Sequence, residues 1–178
     1  MTPANRVLVS LGSNIEPEHN LPAAIELLEE DGCFNVLAVS PIYETPAVGP
    51  EGQPDFQNAA VLIEAGCTHE TLRNELRRIE ADLGRERTGD KYAPRPIDLD
   101  IVMIEGQEIE IDGNPVPDPD IGRHVHLAVP MADLAPEWVE PSTGSTLEQI
   151  AARLAAEQEI RKMTNEIAPI NKTSRYAL

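Results

Sequence analysis

Asp98 and Asp100 stand two apart in a run of strand formers, Ile97-Asp98-Leu99-Asp100-Ile101. Alternation along a strand places both carboxylates on one face and the three aliphatic side chains on the other. Two carboxylates so close repel unless a cation lies between them. Oxygen ligands on a stiff strand suit Mg²⁺, which keeps several waters and takes further ligands from substrate phosphates. Just upstream, Arg73, Arg77, Arg78, Arg85, Arg87, Lys91 and Arg95 are seven of the chain's fourteen basic residues. Arg85 and Arg87 fall in a loop with Thr88 and Gly89, and Arg95 lies between two prolines that stiffen its backbone. Guanidinium forks bind phosphate bidentately and offset charge that develops during phosphoryl transfer. The segment from Gly84 to Asp100 therefore reads as a site for a metal-bound polyphosphate. Arg73, Arg77 and Arg78 read instead as a solvated helix face that pairs with Glu75 and Glu80.

Several elements must hold these residues. Arg6 to Leu11 is a β-rich run that ends at the turn Gly12-Ser13-Asn14, and Leu21, Ala24, Ile25 and Leu28 recur at helical spacing until Asp31-Gly32. Phe34 to Thr45 reads as one long strand with Pro41 marking an edge or bulge, and Phe56 to Ala65 as another with a wholly apolar centre. Thr68 caps a helix reaching Leu83, its buried stripe being Leu72, Leu76, Ile79 and Leu83, and Gly84 ends it. Ile97 to Ile104 is expected as a central strand with Glu108 to Ile111 as a short partner. A proline-rich loop then covers Gly113 to Asp120, with a short helix after Pro130 and a last helix from Thr146 to Glu159. The order β-α-β-β-α-β predicts an α+β, ferredoxin-like sandwich with extra C-terminal helices, its helices covering one face of the sheet. One domain is expected over 1–160, followed by a tail at 161–178 whose end, beyond Ala168, shows no periodicity.

The chain of 178 residues carries a formal net charge of −17. Such acidity argues against a nucleic-acid partner or an anionic membrane, both of which need a broad basic face. Aromatic residues are only 3% of the chain, so the core must be aliphatic. Cys33 and Cys67 lack metal-ligand spacing and read as reduced, inert packing residues. A short apolar start and the absence of a long apolar run point to a cytoplasmic protein without a membrane partner. Oligomeric state is not legible.

The run Glu80-x-x-x-Gly84-Arg85-x-Arg87 … Pro94-Arg95-x-x-Asp98-x-Asp100 closely resembles the signature of the 6-hydroxymethyl-7,8-dihydropterin pyrophosphokinase family of the folate pathway. Leu11-Gly12-Ser13-Asn14 is similar to that family's N-terminal block, and Ser40 to Ala60 to a third, so the likeness spans about Val7 to Trp138. The resemblance implies a ferredoxin-like α+β fold and an enzyme that moves the β,γ-pyrophosphate of ATP onto a pterin's hydroxymethyl oxygen, releasing AMP. It implies small-molecule substrates, ATP and the pterin, and two Mg²⁺ ions held by Asp98 and Asp100. Arg85 and Arg95 match phosphate-binding arginines, Arg87 a further loop arginine and Glu80 an acid of the nucleotide site. Ile101, Asp118, Arg123 and His124 fall on the nucleotide side. Thr45, Pro46 and Val48 fall where backbone groups read the pterin edge; Asn58 matches a side chain that hydrogen-bonds the ring, and Phe56 one slice of an aromatic sandwich.

The chain departs from the family pattern in one stretch. Asp118 stands where the family usually has His, His124 where it has Arg and His126 where it has Phe; Tyr92-Ala93 replaces Trp-Gly. Arg123 is one residue from the lost arginine, and His126 retains a ring that can stack. These changes leave two alternatives open: an enzyme of the same fold with a different pterin-like acceptor, or a non-catalytic pterin- or nucleotide-binding protein.

Overall fold

The computed structural model describes residues 5–90 and 92–164, so Lys91 and the end of the tail lie outside the described residues. Along the chain come β1 (Asn5–Ser13), α1 (Pro17–Glu30), β2 (Phe34–Val39), β3 (Tyr43–Thr45), β4 (Phe56–Ala65), α2 (His69–Asp82) and β5 (Asp98–Ile104). A hairpin of β6 (Ile109–Ile111) and β7 (Asn114–Val116) follows, then a 3₁₀ turn at Pro119–Gly122 and α3 (Val125–Leu134). The chain continues through the pair β8 (Val139–Glu140) and β9 (Ser145–Thr146), α4 (Leu147–Glu157) and β10 (Arg161–Lys162). The main sheet runs in the order β10-β3-β4-β1-β5, with β2 also on β4, and every pairing is antiparallel. The protein is thus α+β.

Strand periodicity explains the layers. Val7, Val9 and Leu11 point to one face of the sheet, where α1 supplies Leu21, Ile25 and Leu28 and α2 supplies Leu72, Leu76 and Ile79. Leu8, Ala60, Leu62 and Val102 point to the other, packed by Val125, Ala128 and Met131 of α3 and Leu147, Ile150 and Leu154 of α4. Helices cover both faces rather than one, which is why the centre of β4 is apolar on both sides. Thr68 caps α2 by accepting the Thr71 amide, and Thr146 and Gln149 form a reciprocal capping box on α4.

Several expectations are corrected. The run from Phe34 to Thr45 is two strands, because Pro41 has no N–H to continue the ladder. Ser40 bridges the break: its amide donates to Ala60 O and its hydroxyl accepts the Ala60 amide at 2.8 Å. β5 is an edge strand, not a central one, and within the main sheet it pairs only with β1 among the described residues; β6 pairs with β7 instead of β5. α3 begins at Val125, ahead of Pro130, since burying Val125, Ala128 and Met131 outweighs the proline inside it. Arg161 and Lys162, expected in the tail, pair with Glu44 and Tyr43 of β3. Cys33 and Cys67 are disulfide-bonded rather than reduced. They flank the ends of paired β2 and β4, where Phe34 lies opposite Ala65, and this register brings their Cα atoms to 5.6 Å. Among the described residues no helix is long and apolar enough to cross a membrane.

Candidate active site

β1 acts as a ruler. Gly12 lies opposite Asn58 of β4 on one side and Asp98 of β5 on the other, and Ser10 lies opposite Ala60 and Asp100. β3 extends the row, with Tyr43 opposite Asn58 and Thr45 opposite Phe56, and Asn58 Nδ2 donates to Thr45 Oγ1 at 3.0 Å. These side chains continue the face that α3 and α4 cover. On that face Leu8, Ala60 and Val102 give way, two residues along each strand, to Ser10, Asn58 and Asp100. The polar row begins where the second helical layer ends. A Cβ at Gly12 would lie in ordinary contact with Asn58 Oδ1, at 3.4 Å.

Arginines hold both aspartates. Asp98 accepts from Arg85 on Oδ1 and from Arg95 Nη1 on Oδ2 at 2.8 Å. Burial disfavours its charge, but the Arg85 and Arg95 guanidiniums outweigh this and hold Asp98 below the usual carboxylate range. Asp100 accepts from Arg73 Nη1 at 3.1 Å. Desolvation and the Asp98 charge push it up to about 6, against the pull of Arg73. Arg73 therefore does not belong to a solvated helix face. Arg77 pairs with Asp112 at the periphery, and Arg78 pairs with Glu75, Asp82 and Asp31. Glu80 is not their partner: 2% exposed, it accepts from Arg85, from Arg87 Nη2 at 2.7 Å and from the Leu99 amide at 2.8 Å.

A cavity of about 270 Å³ opens over this row. It gathers Thr45, Pro46, Val48, Phe56, Asn58 and His126 together with Arg95, Asp98, Asp100 and Asp118. The Arg95 guanidinium lies 5.9 Å from the Phe56 ring centroid, at the border between the apolar end and the carboxylates. A second cavity, about 210 Å³, shares Asp100 and Asp118 with the first and adds Arg73, Ile101 and Val116. Glu80, Arg85, Arg87, Arg123 and His124 line neither cavity. The first two stand behind Asp98. Arg123 is 69% exposed and paired with Asp120. His124 stands at the N-cap position of α3 without a side-chain capping bond and stacks on His126, ring centroids 5.2 Å apart. Burial, then the neighbouring His124, lowers His126 to about 4, so it faces the cavity as a neutral ring.

Some residues belong to blocks that the sequence singled out without giving them a role of their own. Asn14 is buried; its Oδ1 accepts the Arg95 amide at 2.8 Å and its own amide donates to Arg95 O, fixing the arginine's backbone. Tyr92 packs on Gly49, and Gln53 Nε2 donates to Tyr92 O at 2.6 Å, joining the two loops that border the cavity. Asp120 joins Asp118 in the lining; burial, with the Asp120 charge, raises Asp118 against the pull of the Asp120 amide. The motif Leu11 to Asn14 marked β1's end, but only pairing shows which strands it spaces.

Residues 8–136 match the family model of 7,8-dihydro-6-hydroxymethylpterin-pyrophosphokinase (HPPK). The chain belongs to the HPPK family. It is 34% identical over 144 residues to the 2-amino-4-hydroxy-6-hydroxymethyldihydropteridine pyrophosphokinase of Synechocystis sp., covering 80% of this chain and 73% of that protein. The enzyme of the same name from Pseudomonas aeruginosa is 33% identical over 148 residues, 83% of this chain and 91% of its own length. The fold is similar to the crystal structure of Plasmodium falciparum HPPK-DHPS wild type, with a TM-score of 0.65 at 12% identity over 86% of this chain. This chain spans 42% of that longer one.

The oxygen donors along β5 are of the type that holds a divalent cation. Asp98 and Asp100 are the paired oxygen donors, on one face of an edge strand, beside a cavity large enough for phosphate ligands. No cluster of three or more His, Cys, Asp or Glu poised for a metal occurs among the described residues. That donor set suits Mg²⁺, which draws its remaining ligands from water and phosphate.

Proposed function

We propose that this protein transfers the β,γ-pyrophosphoryl group of ATP to the hydroxymethyl oxygen of 6-hydroxymethyl-7,8-dihydropterin, releasing AMP, in a Mg²⁺-dependent reaction. The observation that carries the reading is the register across β1: Asn58 and Asp98 flank Gly12. A flat heterocycle held by Asn58, Thr45 and Phe56 therefore presents its substituent toward the paired aspartates. Family membership and the two named relatives support the same activity. The sheet order β3-β4-β1-β5 beneath α1 and α2 supports reading the core as the ferredoxin-like arrangement, with α3 and α4 as an added layer.

In this reaction the pterin hydroxyl oxygen attacks the β-phosphorus and releases its proton to solvent, the bond from that phosphorus to the α,β-bridging oxygen breaks, and the negative charge leaves on AMP. Positioning and charge compensation do most of the work in phosphoryl transfer. Bound Mg²⁺ would supply charge neutralisation along the triphosphate, held by Asp98 and Asp100. Arg95 sits between Phe56 and Asp98, where it meets both the pterin end and the phosphates. Arg85, bonded to Glu80 and Asp98, keeps Asp98 ionised. Asn58 and Thr45 orient the ring, and the neutral His126 ring faces it from α3.

Incubation with ATP, Mg²⁺ and 6-hydroxymethyl-7,8-dihydropterin should give AMP only when the pterin is present. ATP binding without pterin-dependent AMP would overturn the reading and favour a binding protein or another acceptor.

A further inference from the structure

β5 is an edge strand, so among the described residues the outward N–H and C=O of Leu99, between the two aspartates, have no neighbouring strand to pair with. α2 supplies both partners. Glu80 accepts the Leu99 amide at 2.8 Å, and Arg73 Nη1 donates to Leu99 O at 3.3 Å. Arg73 and Glu80 are seven residues apart, two helical turns, so they project from one side of α2. The same Arg73 nitrogen binds Asp100. The three arginines of this helix then divide by burial: Arg73 is 13% exposed, Arg77 40% and Arg78 47%. Arg73 is also the cation among the residues lining the second cavity, whose walls carry the two acids Asp100 and Asp118.

We infer that Arg73 is a positioning residue for the nucleotide half of the site. Together with Glu80 it takes the place of a missing strand at the edge of β5, fixing Leu99 and so the direction of Asp100. Its charge also makes the acid-walled second cavity acceptable to a polyphosphate anion. An anion entering between Asp100 and Asp118 without it would meet like charge on both sides. The inference rests on the proposed function for the identity of the anion, ATP, but not for its test.

The test is Mg²⁺-dependent binding of an ATP analogue with a methylene between the α- and β-phosphorus, followed by calorimetry on the intact chain. Arg73→Met, which keeps the aliphatic stem, should raise the dissociation constant about tenfold, equivalent to about 1.4 kcal/mol. Arg73→Lys should fall between it and the wild type, because the charge remains while the planar fork is lost. Arg77→Met should leave binding unchanged. In turnover, the KM for ATP should rise in Arg73→Met with the KM for the pterin unaltered, a split that general loosening of the fold would not give. Unchanged analogue binding in Arg73→Met, or equal weakening in Arg77→Met, would overturn the inference. If Arg73→Met does not fold, wild-type binding by Arg73→Lys would overturn it as well. A wild type that binds the analogue yet makes no AMP would refute the proposed reaction and leave the Arg73 comparison readable.

Discussion

His126 makes stability depend on pH in a way that one substitution should remove. Its folded value is lowered from 6.5 to about 4, with burial as the leading cause, the His124 ring adding to it and Asp120 opposing. Asp118, Asp98, Asp100 and Arg95 face the same cavity from the loop and from the β5 side. Between those two values the unfolded chain binds more protons at this residue than the folded chain, so stability falls as pH falls through the window. Integrating one site from about pH 7.5 to about pH 5 gives a loss of about 2 kcal/mol. Asp100 works the other way, since its raised folded value gains stability on acidification, but it does so in wild type and variant alike. Urea unfolding at both pH values, in wild type, His126→Phe and His126→Gln, isolates the histidine as a difference. Both variants should lose about 2 kcal/mol less than wild type on acidification. Equal losses in all three would refute the assignment of a half-buried, neutral imidazole.

Glu80→Ala strips acceptors from Arg85, Arg87 and the Leu99 amide, and urea unfolding should show a loss of about 3–5 kcal/mol, as for other broken buried pairs. A loss below about 1 kcal/mol would count against the clamp on β5. Gly49→Ala places a Cβ 2.5 Å from Tyr92 Cδ1 at a residue with φ 128°, so it should displace Tyr92, raise the KM for the pterin and cost about 1–3 kcal/mol in urea unfolding. An unchanged KM would show that the two loops are not coupled. Protein purified without reductant should show no free thiols, and Cys33→Ser should lower stability by roughly 4 kcal/mol for a loop of this length, measured by urea unfolding. Two reactive thiols in the native protein would overturn the bridge.

Spacing alone made much of the core legible. β4 runs from Phe56 to Ala65 as read, and α2 starts after its Thr68 cap, because a two-residue or 3.6-residue period is a local property. Thr45, Pro46, Val48, Phe56, Asn58, Asp98 and Asp100 all line one cavity. The failures share a cause. Placing β5 at the centre, pairing it with β6, leaving one sheet face uncovered and treating the cysteines as unpaired all concern which distant segments meet. A period reports only that a face is buried and says nothing of what buries it.

The arginine and aspartate cluster shows the division most clearly. The sequence by itself determined that two carboxylates share a strand face and that a stiffened Arg95 precedes them, the basis of the proposed metal-bound polyphosphate site. It could not rank Arg73, Arg77 and Arg78, three identical side chains within two turns of α2. Only the packing of α2 along the open edge of β5 decided that Arg73 meets Asp100 and Leu99 while Arg77 and Arg78 reach peripheral acids. The physical reason is that side-chain type and spacing set what a group can bind, whereas an unpaired strand edge, created by the sheet order, sets which group is needed there.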